Sequence, residues 1–176
     1  MRRQSTLANR TALVIHGGAG TISRAAMTPR QAQRYRTVLI RALAAGSRVL
    51  ENGGTSLDAV CAAVVVMEDS PLFNAGRGAV FNTAGQHELD ASIMDGATLA
   101  AGAVAAIRHA KNPVLVARAV MDHTPHIVLA GDGAGRFARA QGFAMMPAGY
   151  FRTARRWAAL QRALRTRVQR CCFALT

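Results

Sequence analysis

Aromatic side chains make up only 5% of the 176 residues, although half of the residues are hydrophobic. An interior of Ala, Val and Leu suits helices packed tightly on a sheet, and the length fits one domain able to bury a core. Cysteine is sparse as well. Cys61 sits in an apolar helical stretch and reads as a core residue. Cys171 and Cys172 are adjacent near the C-terminus. Three cysteines give no even disulfide framework, and none has the C-x-x-C spacing of a zinc site. No apolar run reaches the ~18–20 residues that span a bilayer. The start, MRRQSTLANRTALVIHGG, is basic but lacks a sustained apolar stretch and a small-residue cleavage site. Residues 1–11 therefore read as a disordered lead-in, with the cytoplasm as the expected compartment and no membrane partner.

Acidic residues are few, nine against 22 basic, for a net charge of +13. All nine lie at or before Asp132, so residues 1–132 carry a net +4 and residues 133–176, with nine Arg and no acid, a net +9. The excess belongs to the last quarter rather than to a uniform face. Tyr150, Phe151 and Trp157 are nearby, but no nucleic-acid reading motif accompanies them, so nucleic acid is not the expected partner.

Along the chain, the apolar run Ala12–Ile15 closes in HGGAG (His16 to Gly20) and reads as a strand ending in a glycine turn. Apolar residues then recur at helical spacing from about Thr28 to Asn52, with Gly53-Gly54 as the stop. Thr55 and Ser56 offer N-caps for SLDAVCAAVVVMED, a helix apolar on nearly all sides and expected to be buried between layers. Pro71 ends it, and a glycine-bearing loop runs to Gly78. Strands are expected near Ala79–Asn82, Glu88–Asp95 and Ala101–His109, a helix over Val114–His123 opened by Pro113, and a strand over Ile127–Ala130. That strand ends in GDGAG (Gly131 to Gly135), which leads into a helix through Gln141. This order argues for an α+β fold with helices layered on a mostly antiparallel sheet.

Several features invite chemistry but have plainer readings. His16 ends a strand and reads as structural. HGGAG and GDGAG match neither G-x-x-x-x-G-K-[ST] nor G-x-G-x-x-G, so close backbone packing is the simpler account. Glu88 and Asp90 fall on one face of a strand opposite Leu89. With Asp95 they could form a metal cluster or an acid/base pair, but structural or subunit contacts are the simpler expectation. His87, His109, His123 and His126 are too scattered for a motif such as H-E-x-x-H.

The motifs LVIHGGAGTI, ENGGTSLDAV, PLFNAGRGAVF, HELDASIMDG, HIVLAGDGAGRFA and YFRTARRWAALQRAL occur in that order between Ala12 and Leu164. Together they resemble the first, α-subunit segment of the isoaspartyl peptidase/L-asparaginase family, the plant-type asparaginases. The resemblance implies the four-layer αββα sandwich of N-terminal-nucleophile hydrolases. It implies a precursor that cleaves itself before a threonine, whose freed α-amine, with a pKa near 7.7–8.0, acts as base while the hydroxyl attacks an amide carbonyl. L-asparagine and β-aspartyl dipeptides are the substrates implied. The nucleophilic threonine opens a second, β segment with a Thr-Val-Gly-type start, and no threonine of this sequence has that context.

The first segment supplies support. Met67 to Arg77 is similar to the family's stabilisation loop, which binds a structural sodium ion through main-chain carbonyls. The resemblance assigns those of Met67, Glu68, Ser70, Phe73, Ala75 and Arg77, and no organic cofactor. Hard cations favour such oxygen ligands, and the loop then needs Gly76 and Gly78 for backbone shape. Asn74 is placed beside the threonine as an orienting hydrogen-bond group; a tight-turn role for it stays open. The implied assembly is a dimer of αβ units. Residues 165–176, RTRVQRCCFALT, are an Arg- and Cys-rich tail unlike the family's polar linker, as a frameshift or truncated gene would leave. A first segment alone is expected to be inactive and to leave sheet edges and a core face exposed, hence to associate. A non-catalytic remnant is the alternative reading, and a basic nucleic-acid-associated protein the second alternative.

Overall fold

Two capped helices open the structure, and small residues let them touch. The computed structural model describes residues 11–18 and 27–166; the lead-in before Thr11, the end of the HGGAG turn, and the tail from Arg167 with Cys171 and Cys172 lie outside the described residues. Helix α1 (Pro29–Glu51) begins with a capping box. Thr28 Oγ1 accepts the Gln31 N–H at 3.2 Å, and Gln31 Oε1 accepts the Thr28 N–H at 2.9 Å. Thr55 caps α2 (Ser56–Glu68) by accepting the Asp58 N–H at 3.1 Å. Ala42 and Gly46 of α1 meet Ala59 and Ala63 of α2, all four buried. A Cβ on Gly46 would lie 2.8 Å from the Ala59 carbonyl oxygen, so only glycine permits this approach. Val60, Val64, Val65 and Val66 of α2 stay half-buried, less enclosed than an all-apolar helix suggested.

Among the described residues the sheet has three strands, β1 (Leu89–Met94), β2 (Ala101–Ile107) and β3 (Val128–Ala130). β1 and β2 pair antiparallel, with Leu89 opposite Ile107 and Met94 opposite Ala101. A bulge between Leu89 and Ala91 coincides with Ala106 at φ +50, and Asp90 Oδ1 accepts the Ala106 N–H at 2.7 Å. β2 and β3 pair parallel, with Ala103 opposite Val128. The crossover between them is α3 (Pro113–His123), as a parallel pair requires. Its backbone lies against Gly102, where a Cβ would collide with the Ala117 carbonyl oxygen. Helices α4 (Gly131–Ala140), α5 (Ala148–Phe151) and α6 (Ala154–Thr166) follow. Val104, Ile107, Val116, Val120, Ala134 and Phe151 form the centre of the core.

An α+β architecture with a small mixed sheet is therefore present, and several expectations are corrected. Ala12–Ile15 is not a strand, because residues 11–18 make no ladder with a described residue. Ala79–Asn82 is not a strand either; its backbone closes the preceding loop instead. The sheet is not mostly antiparallel, since one of its two pairings runs through the α3 crossover. The helix expected to follow GDGAG already begins at Gly131, so these residues form the opening of α4. No described helix is long and apolar enough to cross a membrane.

Candidate active site

Helix α2 stops at Glu68, and the chain then folds back on itself through a 3-10 turn, Gly76–Gly78. Gly76 has φ +47, and a Cβ there would lie 2.5 Å from the Glu68 carbonyl oxygen. A Cβ on Gly78 would collide with the Phe73 carbonyl oxygen. Both glycines are thus required by close approach to carbonyls of the loop itself. Of the six carbonyls assigned to an ion, Met67 accepts N–H groups of Asp69 and Ser70, and Ala75 accepts that of Gly78 at 3.0 Å. The carbonyls of Glu68, Ser70, Phe73 and Arg77 accept no hydrogen bond from a described residue. Carbonyls left over at a helix C-terminus, at the negative end of its dipole, suit a cation. Such oxygen atoms are donors of the kind a hard cation takes.

Two other carbonyls of the loop, those of Leu72 and Gly78, are held from outside by α6. Arg155 Nη2 donates to the Leu72 carbonyl at 2.8 Å and its Nη1 to Tyr35 Oη at 2.8 Å. Tyr35 in turn donates to the same Leu72 carbonyl at 3.3 Å. Arg156 Nε donates to the Gly78 carbonyl at 2.8 Å. Phe73 anchors the loop from within, buried and edge-on to Tyr35 at 5.7 Å. Asn74 points the other way and is exposed. Its Oδ1 accepts the Val80 N–H at 2.9 Å, which fixes the carboxamide and leaves Nδ2 without a partner among the described residues. The turn role and a free donor therefore coexist in one side chain.

Below the loop lies a polar cluster that sequence reasoning missed. The Glu68 side chain is only 3% exposed. Its Oε1 accepts the Val114 N–H at 3.0 Å, capping α3 in place of Asn112, whose side chain makes no cap bond. Its Oε2 has no hydrogen-bond partner among the described residues. Burial pushes this carboxyl up to about 7, against the pull of the Val114 amide and Asn112. Asp69 receives Lys111 Nζ, Asn112 Nδ2 and Tyr150 Oη at 3.3, 3.2 and 3.4 Å. A reading limited to main-chain carbonyls gave the Glu68 side chain no role, because its partner is 46 residues away.

The other candidates do not join this site. Glu88 pairs with Arg108, Asp90 braces the β1–β2 bulge, and Asp95 caps its own turn through Ala97 and Thr98. His16 Nδ1 accepts the Gly18 N–H at 3.3 Å in an exposed segment. His109 Nδ1 contacts the Met146 carbonyl, while His123 and His126 are exposed. His87 is 8% exposed beneath Phe81, with Nδ1 against the Val80 carbonyl at 3.1 Å, and burial lowers its pKa. Cys61 is buried and its thiol is pushed up by burial, as a core cysteine should be.

A family model described as asparaginase matches residues 9–173. The isoaspartyl peptidase of Salmonella typhimurium is 48% identical over 149 residues, covering 85% of this chain and 48% of the relative. That of Escherichia coli is 49% identical over 145 residues, covering 82% and 45%. The isoaspartyl peptidase/L-asparaginase of Homo sapiens is 47% identical over 136 residues, covering 77% and 42%. The chain spans less than half the length of these relatives.

Proposed function

Because the chain belongs to the asparaginase family, we propose that it furnishes the scaffold half of an isoaspartyl peptidase/L-asparaginase-type amide hydrolase. The observation that carries this reading is the loop from Met67 to Val80. Its glycines pack on its own carbonyls, and four carbonyls and the Asn74 Nδ2 have no hydrogen-bond partner among the described residues. The substrates are L-asparagine or β-aspartyl dipeptides, the class carried by the names of the relatives. The threonine nucleophile comes from a second segment. That segment docks on the open side of the sheet and completes a four-layer αββα sandwich, and two such αβ units pair.

In this reading the carbonyls of Met67, Glu68, Ser70, Phe73, Ala75 and Arg77 hold a sodium ion, which supplies charge balance and loop rigidity rather than chemistry. Arg155 and Arg156 hold the opposite carbonyls, so the loop is fixed from both sides. Asn74, its oxygen committed to Val80, presents Nδ2 to the threonine hydroxyl and orients it. The chain alone does not hydrolyse amides, because the nucleophile, the oxyanion donors and the groups gripping the substrate's α-amine and α-carboxylate lie in the second segment.

The test is reconstitution. The chain is co-produced with the half of the Escherichia coli relative that it does not span, and β-aspartyl-leucine hydrolysis is followed. Activity in the mixed preparation, absent from either half and lost with Asn74→Ala, is the expected result. A stable complex of the two halves that hydrolyses neither β-aspartyl-leucine nor L-asparagine would overturn the reading.

A further inference from the structure

Arg30, Arg34 and Arg41 stand on one stripe of α1, within about 40° of each other at ~100° per residue and spanning about 16 Å of helix. They line a groove of about 610 Å³ between α1 and the end of α2, whose floor includes Val38, Val66 and Leu72. All three guanidinium groups are exposed, and none has a carboxylate partner among the described residues. The one acid in the groove, Asp69, is already engaged by Lys111. All nine acidic residues of the sequence are among the described ones, and none reaches this stripe. The natural complement therefore does not come from this sequence.

We infer that this groove is a docking site for an acidic amphipathic helix lying outside these 176 residues. A row of guanidinium groups over an aliphatic floor asks for carboxylates beside Leu- or Met-type side chains on one face. The row matches carboxylates at i, i+4 and i+11 of a helix lying along α1. A single-stranded nucleic acid fits less well, because no aromatic ring lines the groove for bases to stack on. The floor includes the outer side of the loop at Ser70, Pro71 and Leu72, so an occupant rests on the back of the segment that carries Asn74.

The test uses the 176-residue chain and a fluorescent, lactam-stapled peptide of roughly four turns. The peptide carries Glu at i, i+4 and i+11 and Leu on the adjoining face. Fluorescence anisotropy near 0.1 M salt should show binding that weakens about tenfold or more in the R30E/R34E/R41E variant. The equally charge-reversed R36E/R136E/R139E variant, altered outside the groove, should lose no more than about threefold. Equal losses in the two variants, or absence of binding, would overturn the proposal. So would an oligothymidylate that binds more tightly with the same dependence on the three arginines, or self-association that accounts for the signal. If the first variant does not fold, protection of arginines from phenylglyoxal in the parent chain decides instead. The peptide should shield Arg30, Arg34 and Arg41 and leave Arg36, Arg136 and Arg139 reactive, and any other pattern counts against the groove.

Discussion

Glu68 is the residue whose surroundings depart furthest from its chemistry. A carboxyl raised from 4.5 to about 7 by burial binds a proton in the folded chain that it has lost in the unfolded one between those pH values. The folded state is therefore favoured at low pH and loses that advantage as pH rises from about 4.5 through about 7. The loss amounts to roughly 3 kcal/mol once the folded carboxyl has ionised. Glu68→Gln keeps an oxygen for the Val114 amide and removes the titration. Urea unfolding at pH 5 and pH 8 should thus show a smaller drop in stability for the variant than for the parent. His87, whose pKa burial lowers, works in the opposite direction in both proteins and cancels in the comparison. Identical drops would mean that Glu68 ionises normally. At Asn74, replacement by Asp keeps the oxygen for Val80 and removes the Nδ2 donor. In the reconstituted hydrolase, Asn74→Asp should lower kcat by about 10²-fold or more with the thermal midpoint of the chain little changed. A matched fall in stability and activity would assign Asn74 to the turn alone.

At the scale of elements, the loop between α2 and β1 is held by α6. Gly78→Ala places a methyl group against the Phe73 carbonyl and should cost about 2–3 kcal/mol; a thermal midpoint equal to the parent's would show that the loop can spread. Arg156→Ala removes the donor to the Gly78 carbonyl and should cost about 1–2 kcal/mol. Amides of residues 72–80 should exchange faster in that variant while those of α3 do not. Helices α1, α2 and α3 were legible in advance because their starts are written locally, whereas α5 and α6 were not expected. Thr28 with Gln31, Thr55 with Asp58, and Pro113 all signal starts within four residues. Residues 79–82 misled because their apolar pattern serves loop closure, through a side chain six positions back. Ala12–Ile15 misled because a strand is defined by a partner and none is described for it. The glycines of the loop were legible as shape requirements, whereas the carbonyls they pack on were not. Arg155 and Arg156 registered only as excess charge, since their acceptors are 83 and 78 residues away.

At the scale of the whole molecule, the described residues cover the sheet fully on one side only. Leu89 and Ile93 face the core, while Met94 and Val128 are 56% and 53% exposed. Apolar strand residues in water favour pairing with another surface. Sedimentation of the chain should show self-association that Met94→Lys with Val128→Lys reduces, with helical content unchanged; a monomeric parent would contradict this. The distance between the loop and its clamps also has a consequence for synthesis. A ribosome adding roughly 5–20 residues per second releases the loop several seconds before Arg155 and Arg156. Until then α1 and α2 can pair, but the Leu72 and Gly78 carbonyls have no partner to hold them. The nascent chain thus carries its loop untied, and the order of translation keeps the support of the site incomplete until α6 has emerged.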